Sequence, residues 1–292
     1  MSKQVEMRTA LGLGGPVIQI TLPSGRRSYK LPVVKDLPEK VKSVTTITGD
    51  TLKSYGIEKW KDGILKRELE GRKGKYLSAK GISDILSAPN RESGEGQRVG
   101  SEMHNIVESL LRGNTHGPEI YIPDQLEPAV RGFLRWRRRF SHWQFIQSEV
   151  AVYKRGSENY GGTMDALFYD EQQETYHVVD WKTSRKDIYG ESFMQVAAYC
   201  RALEYMFHTD YRYRAHHLER CSTGVLYKVR GMVARFDNDY PKDADLKEIR
   251  TEPKVFTDKV QIAHVDSDEW YPVFKHCHDL SVYHGRKTEW LT

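Results

Sequence analysis

Residues 162–184, GTMDALFYDEQQETYHVVDWKTS, decide how the rest of the chain is interpreted. Two runs rich in β-branched and aromatic residues, 162–169 and 176–181, are separated by the turn-prone residues 170–173. This pattern predicts two neighbouring strands joined by a tight connection. The second run ends at Asp180 and Lys182, so the pair of strands carries charged side chains where it leaves the apolar stretch.

The charged residues of these two strands are expected to meet. Side chains two residues apart on a strand point to the same face, so Asp180 and Lys182 lie side by side. If the two strands pair, Asp165 comes close to Asp180, and both carboxylates could bind one metal cation. Oxygen ligands of this kind suit Mg²⁺ or Mn²⁺. From these residues alone the alternative is a surface salt bridge between Asp180 and Lys182, with Asp165 in a turn.

The surrounding segments predict an α/β or α+β fold, in which helices sandwich a central sheet. Further strands are predicted in 17–33 (two strands around a turn at 23–25), 145–153, 223–229 and 260–265. Helices are predicted at 52–69, 99–111 (closed by Gly113), 126–140, 191–207 and from Asp266 onward. The Pro-, Asn-, Ser- and Gly-rich segment 86–97 is predicted to be a loop. Residues 1–95 are interpreted as strands and a helix packed on a core of residues 96–292, in one compact unit.

Composition excludes several classes of protein. With 38% hydrophobic and 29% charged residues, the 292-residue chain is typical of globular proteins rather than disordered ones. No apolar run approaches the ~18 residues of a membrane span, and the N-terminus resembles neither a secretory signal nor a transit peptide. A cytoplasmic protein without a membrane partner is therefore expected. Three scattered cysteines without a C-x-x-C pair argue against an iron–sulfur cluster.

Four other polar residues are candidates to join the charged group. Glu149 lies on the strand before the hairpin, and Gln195 and Tyr199 are four apart on the following helix, so they share a face. His104 lies on the helix 99–111. Each has an ordinary structural interpretation as well, such as a satisfied histidine or a hydrogen-bonded helix edge.

The helix 126–140 combines cationic and aromatic side chains, which suits a nucleic-acid strand because bases stack on rings and phosphates pair with guanidinium groups. The residues assigned to nucleic-acid binding are Arg131, Arg135, Trp136, Arg138 and Arg139. Further basic groups that would extend this surface are Arg26, Arg27, Lys30, Arg212, Arg214, His216 and His217. A solvated helix face with core aromatics, and ordinary surface charge elsewhere, remain the alternatives.

Taken in order, these motifs resemble the PD-(D/E)XK nuclease superfamily, and within it the RecB-type exonucleases, including phage exonucleases and the mitochondrial genome maintenance exonuclease. The matching pieces, which cover 99–206, are His104 in GSEMH, Glu149 in SEVAVY, Asp165 in GGTMDAL, the DWKTS element of Asp180 to Lys182, and Gln195 and Tyr199 in QVAAY. The segment SVTTITGDTLKSYGIEKW, ending at Trp60, is similar to one near the start of such proteins. Met164 stands where the pattern nominally has proline.

The resemblance implies a restriction-endonuclease-like core and a Mg²⁺- or Mn²⁺-dependent DNA exonuclease. Its substrate would be single-stranded DNA or DNA ends, in replication, recombination or DNA degradation, with possible protein partners from those processes and a host cytoplasm if the chain is phage-encoded. The implied metal ligands are Asp165, Asp180 and the Trp181 carbonyl, completed by His104 and Glu149. Lys182 would orient or deprotonate the attacking water, and Gln195 and Tyr199 would position Lys182 or the DNA backbone.

Other functions remain open at this stage. A structure- or site-specific DNA endonuclease would share the same motifs, and so would a metal-using enzyme of another chemistry. A non-catalytic DNA-binding protein is a further alternative, although such members usually lose a metal carboxylate or the lysine, and here all three residues of the hairpin are present.

Overall fold

The structure, a computed structural model, describes residues 4–8, 17–22, 26–31, 40–52, 55–113, 120–183, 188–209, 228–236 and 260–289. The strands are β1 (Gln4–Arg8), β2 (Val17–Thr21), β3 (Arg27–Lys30), β4 (Lys40–Ser43), β5 (Gln144–Lys154), β6 (Tyr160–Asp170), β7 (Thr175–Lys182), β8 (Lys228–Phe236) and β9 (Val260–Val265). The helices are α1 (Val44–Thr51), α2 (Tyr55–Glu70), α3 (Ala79–Leu111), α4 (Glu127–Arg139), α5 (Gly190–Thr209) and α6 (Ser267–Glu289).

The nine strands that the structure describes all belong to one mixed sheet. Its order is β1-β2-β3-β4-β6-β7-β8-β9, and β5 pairs with β6 outside this path. The β4–β6 and β7–β8 pairs are parallel, whereas the others are antiparallel. The predicted fold class, a central mixed sheet flanked by helices, is confirmed.

The two faces of β7 explain why its sequence is almost continuously apolar. Tyr176 and Val178 pack into a cluster with residues of α5, while Val179 and Trp181 pack into a second cluster with residues of α4. A strand covered on both faces, as in parallel sheets with helices on either side, has no solvent face to keep polar. The core therefore consists of two layers that meet along β6, β7 and β8.

Local signals set several helix ends. Ser43 caps α1 by accepting a hydrogen bond from the Thr46 amide at 2.9 Å, and Ser78 caps α3 through the Gly81 amide at 3.2 Å. Gly113, with a φ of 66°, follows the end of α3 as predicted. Pro128 lies in the first turn of α4, where its missing amide hydrogen costs nothing.

The predicted loop at 86–97 is wrong, because this segment is the middle of α3. Pro89 is buried there beside Ala88, so packing against the fold offsets the hydrogen bond that the proline removes. The Arg91 guanidinium also donates to the Asp84 carbonyl at 2.9 Å and to Ser87 Oγ at 2.5 Å, which are further contacts within this part of the helix. Tertiary contacts have overridden the local propensity of the segment.

Most other predicted elements are confirmed, including the β2–β3 hairpin, the β5–β6–β7 meander, β9, α2, α4, α5 and the start of α6 after Asp266. The strand predicted at 223–229 is described only from Lys228, and β8 continues to Phe236. The predicted division at residue 95 falls inside α3. Strands β1–β4, which precede it in the chain, belong to the same sheet as β6–β9, which follow it.

The remaining sequence expectations concern thiols and membranes. Cys200 and Cys277 are buried free thiols, and Cys221 lies outside the described residues. Among the described helices none is long and apolar enough to cross a membrane.

A buried histidine lies at the opposite end of β7 from the charged pair. The His177 ring stacks on Trp143 with ring centroids 3.8 Å apart, and neither ring nitrogen has a hydrogen-bond partner among the residues that the structure describes. Burial lowers the pKa of His177 to about 3; Asp170 opposes this shift, while Arg230, His264 and His142 add to it. Neutral His177 is therefore the form that the folded protein accommodates.

We expect His177 to make folding sensitive to acid. Its pKa in the folded protein is below the ordinary 6.5, so the unfolded chain binds more protons between these values and stability falls as the pH decreases through that window, by at most about 1.4 kcal/mol per pH unit. His177→Phe keeps the stack on Trp143 and should remove this contribution. Urea unfolding of both proteins at pH 7.5 and pH 5.0 measures it, and equal pH dependences would contradict the expectation.

Candidate active site

The site forms where β6 and β7 separate. Their last paired residues at this end are Ala166 and Val179, and the next residues along each strand are Asp165 and Asp180. The Trp181 amide, which no longer meets a β6 carbonyl, donates instead to Asp165 Oδ2 at 2.7 Å. The structure thus brings the two predicted carboxylates together through a bond between backbone and side chain.

Asp180 and Lys182 form a close ion pair. Lys182 Nζ lies 2.7 Å from Asp180 Oδ2, and the Asp180 side chain is 1% exposed while that of Lys182 is 33% exposed. Burial alone would lower the pKa of Lys182, but the nearby Asp180 and Asp165 carboxylates outweigh it and the pKa is raised. Lys182 is therefore an ammonium group, held at the end of β7 by a buried counter-charge.

A second group of ligand-type atoms lies beside this pair. Single ligand atoms of His104, Glu149 and Asp165 all lie within 4.8 Å of one another. His104 reaches the strands from α3: its Nε2 is 3.3 Å from the Trp181 carbonyl oxygen and its Nδ1 is 3.6 Å from Asp165 Oδ1. When Nε2 donates to the carbonyl, Nδ1 keeps its lone pair on the side of Asp165.

Glu149 has an uncommon backbone conformation. It stands between the pairs Ser148–Ala166 and Val150–Met164 of β5 and β6, directly across from Asp165, and its φ is 52°. A non-glycine residue with positive φ inside a strand is strained and persists only where its surroundings impose it. Such residues are concentrated at functional sites, and here the strained residue contributes a carboxylate.

Among the described groups that act on Asp165 there are both carboxylates and cations. The pKa of Asp165 is raised to about 6, mainly by burial; the His104 and Lys182 cations oppose the shift, and the Asp180 and Glu149 carboxylates add to it. Three carboxylates therefore share one ammonium group and one imidazole. An added cation would relieve this repulsion.

Gln195 and Tyr199 form the adjoining wall. Gln195 Nε2 donates to the Tyr199 hydroxyl at 2.9 Å, and Tyr199 is 2% exposed. Burial raises the pKa of Tyr199 well above 10, so its hydroxyl is neutral. The Tyr199 ring lies against Gly162 of β6, where an added Cβ would overlap it.

An open cavity of about 900 Å³ unites these residues. The cavity is lined by all eight residues that the sequence predicts for the catalytic and metal site: His104, Glu149, Asp165, Asp180, Trp181, Lys182, Gln195 and Tyr199. Other residues that line the cavity are not predicted from the sequence: Thr45, Gln97, Gly100, Ser101, Asn105, Glu108, Arg112, Gln147, Ser148, Thr163 and Thr183. The spacing of the α3 members, which recur every three or four residues, was the signal that could have found them.

Comparison with known protein families identifies the one to which the chain belongs. The sequence model of the PD-(D/E)XK nuclease superfamily matches residues 86–252, more than half of the chain. The chain belongs to the PD-(D/E)XK nuclease superfamily. A solved structure to which this nuclease is similar is the alkaline exonuclease of Laribacter hongkongensis, at 10% sequence identity and a TM-score of 0.33, covering 86% of this chain and 95% of the other. No curated protein sequence matches.

The donor atoms of this nuclease fit a divalent cation. His104, Glu149 and Asp165 offer one nitrogen and two carboxylate oxygens at mutual distances suited to a shared ion. The Trp181 carbonyl oxygen contacts His104 Nε2 and therefore lies next to these donor atoms. Asp180 lines the same cavity but stands outside this three-residue group, and its Oδ2 faces Lys182.

The nucleic-acid residues predicted on α4 lie elsewhere. Trp136 is fully buried against Phe133, Phe168 and Trp181, so the prediction that it stacks on a base is wrong and the core interpretation of this ring holds. Arg135 is 8% exposed, Arg131 pairs with Glu127, Arg139 lies over Phe140, and Arg138 is exposed. None of the five is among the described residues that line the cavity.

The other predicted basic groups have different positions. Arg27 lines the cavity, whereas Arg26 pairs with Asp50 at 2.8 Å. Lys30 is an exposed residue of β3, and Arg212, Arg214, His216 and His217 lie outside the described residues. Besides Lys182 of β7, the arginines that line the cavity thus come from β3 and from the C-terminal end of α3 rather than from α4.

Replacing Gly162 should disturb the site without touching a charged residue. Gly162→Ala places a methyl group in the Tyr199 ring, and we expect a loss of about 1–3 kcal/mol of stability because neither β6 nor α5 can retreat easily. Gly96→Ala is a matched control, since a Cβ there meets nothing within 4 Å and alanine favours the helix. Thermal unfolding compares the two variants, and an unchanged melting temperature in Gly162→Ala would contradict the packing described.

Proposed function

We propose that this nuclease is a metal-dependent DNA exonuclease that hydrolyses phosphodiester bonds in single-stranded DNA or at DNA ends. One observation carries the proposal: the ligand group of His104, Glu149 and Asp165 adjoins the Asp180–Lys182 ion pair at the floor of one open cavity. A site for a cation and a site for a fixed ammonium group are what phosphodiester hydrolysis requires, because charge develops on the phosphate as water attacks.

The carboxylates and the imidazole have the role of ligands. Asp165 is held by the Trp181 amide, so its Oδ2 is fixed while Oδ1 faces His104. Glu149 faces the same point from β5. With Mg²⁺ or Mn²⁺ bound, the cation would polarise the scissile phosphate and lower the pKa of a bound water.

Lys182 has the role of a fixed cation. Its raised pKa keeps the ammonium group charged, so it donates hydrogen bonds to the attacking water or to a phosphate oxygen rather than removing a proton. Asp180 limits the positions that Nζ can reach. Gln195 and Tyr199, which are bonded to each other on the neighbouring wall, present neutral polar groups to the lysine or the DNA backbone.

The walls of the cavity support a polyanionic substrate. Arg27 contributes a guanidinium group from β3, and Arg112 contributes one from the C-cap of α3. Polar side chains of α3, among them Gln97, Ser101 and Asn105, also line the cavity. Phosphate groups of a strand pair with guanidinium groups without regard to sequence, as a nuclease acting on DNA ends requires.

Removal of the lysine charge is expected to stop catalysis but not binding. Lys182→Met should reduce single-turnover cleavage by about 10²–10⁴-fold, because the transition-state charge loses its ammonium partner. Affinity for DNA, measured by fluorescence anisotropy with chelator, should change little. Lys75→Ala, at an exposed position after α2, is the matched control, and cleavage by Lys182→Met at the wild-type rate would overturn the assignment of the site.

Digestion of matched linear and circular DNA tests the exonuclease proposal. We expect degradation of 5′- and 3′-labelled linear single strands in the presence of Mg²⁺ or Mn²⁺, survival of covalently closed circles, and no digestion of either in chelator. Cleavage of the circles would replace the proposal by a structure- or site-specific endonuclease. Digestion that persists in chelator would contradict the metal dependence.

A further inference from the structure

A partly buried polar contact joins α3 to β5 immediately next to the strained residue Glu149. Ser148 Oγ donates to Glu108 Oε1 at 2.9 Å, and Arg112 Nη2 pairs with the same oxygen at 2.6 Å. Arg112 Nη2 also lies 3.4 Å from Ser148 Oγ, which closes a triangle of three side chains. Ser148 itself is only 3% exposed.

The helical spacing places this triangle beside the ligand group. His104 and Glu108 of α3 and the C-cap residue Arg112 recur every four residues and share one face, with Cβ atoms of successive members ~5–6 Å apart. On β5 the neighbour of Ser148 is Glu149. The contact from Glu108 to Ser148 therefore runs alongside the approach of His104 to Glu149, one helical turn away.

The triangle of Ser148, Glu108 and Arg112 can stabilise the unfavourable backbone conformation of Glu149. A positive φ costs a non-glycine residue about 1–3 kcal/mol and needs support from its surroundings. A hydroxyl that donates to an ionised carboxylate forms one of the stronger hydrogen bonds in proteins, and this one fixes the residue before the strained position. The proposed hydrolysis uses neither Ser148 nor Glu108, and Arg112 contributes to the proposed function only as a cationic group of the cavity wall.

We propose that Ser148, Glu108 and Arg112 are positioning residues, which hold Glu149 in its left-handed conformation so that its carboxylate stays within ligand distance of His104 and Asp165. The inference rests on the proposed function for the cation that this group binds. Glu108 acts through Ser148 rather than as a ligand, because its Oε1 already accepts from two donors and it lies outside the group whose ligand atoms converge.

Calorimetric titration of the full chain with Mn²⁺ alone, without DNA, tests the inference. Ser148→Ala removes the donor but no ligand, and we expect its Mn²⁺ affinity to fall about 10-fold, as is usual when a group that orients a metal ligand is lost. Ser148→Thr restores the hydroxyl and should recover most of the affinity. Glu108→Gln, which breaks the ion pair with Arg112, should also weaken binding.

Glu102→Gln is the matched control on the same helix. Glu102 pairs with Arg98 at 3.2 Å with the same four-residue spacing, but on the exposed side of α3. Its Mn²⁺ affinity should equal that of the wild type, so a mere loss of helix stability cannot produce the expected result. In DNA cleavage Ser148→Ala should need more Mn²⁺ for half-maximal rate but approach the wild-type rate at saturation, whereas a general structural defect would lower the saturated rate.

The outcomes separate this inference from the proposed function. Equal Mn²⁺ affinity in wild type and Ser148→Ala overturns the positioning role and leaves the nuclease assignment intact. Weaker binding in Glu108→Gln with unchanged binding in Ser148→Ala also overturns it, and makes Glu108 a ligand. If the wild type binds Mn²⁺ but cleaves no DNA, the proposed function fails while the titrations still decide the role of Ser148. A wild type that binds no Mn²⁺ overturns both.

Discussion

The hydrogen bond from the Trp181 amide to Asp165 is the contact on which the rest of the site depends. It forms where β6 and β7 stop pairing, so a carboxylate replaces the backbone carbonyl that a continued ladder would supply. The Trp181 carbonyl faces His104, and thus both peptide groups of one residue orient ligand-type side chains. Its position is fixed by the indole ring, which is buried among Phe133, Trp136, Phe168 and Phe236.

This arrangement places function and stability in opposition. Asp165, Asp180 and Lys182 are charged groups in a partly desolvated position, and breaking a buried pair of this kind is generally more costly than replacing both members with apolar residues. The aromatic layer beneath Trp181 and the α5 layer on the other face provide the burial that offsets the cost. The dense packing around a polar floor is thus what lets the chain keep a strained Glu149 and a crowded set of carboxylates in place.

Sequence alone predicted the parts of this molecule that depend on local periodicity. Side chains two residues apart on a strand share a face, and two consecutive strands pair, so the sequence places Asp165, Asp180 and Lys182 together. Helical spacing places Gln195 beside Tyr199. Sequence alone failed where distant contacts decide. The segment 86–97 is helical through packing of α3, the ring of Trp136 faces the core rather than solvent, and the contact from Ser148 to Glu108 joins residues 40 apart in the chain. A positive φ at Glu149 leaves no mark on the sequence at all.

Two adjacent glycines of β6 allow aromatic rings from β3 and α5 to pack directly on the strand that carries Asp165. At Gly161 an added Cβ would lie 2.8 Å from the Tyr29 ring, and at Gly162 it would overlap Tyr199. The bare backbone of β6 therefore lets a ring from β3 and a ring from α5 press on it within four residues of Asp165. The Tyr29 hydroxyl then bonds Thr163 at 2.8 Å, and Thr163 lines the cavity. The position of Asp165 on β6 therefore depends on the Tyr29 ring of β3 and on the pairing of β6 with β4, as well as on β5 and β7.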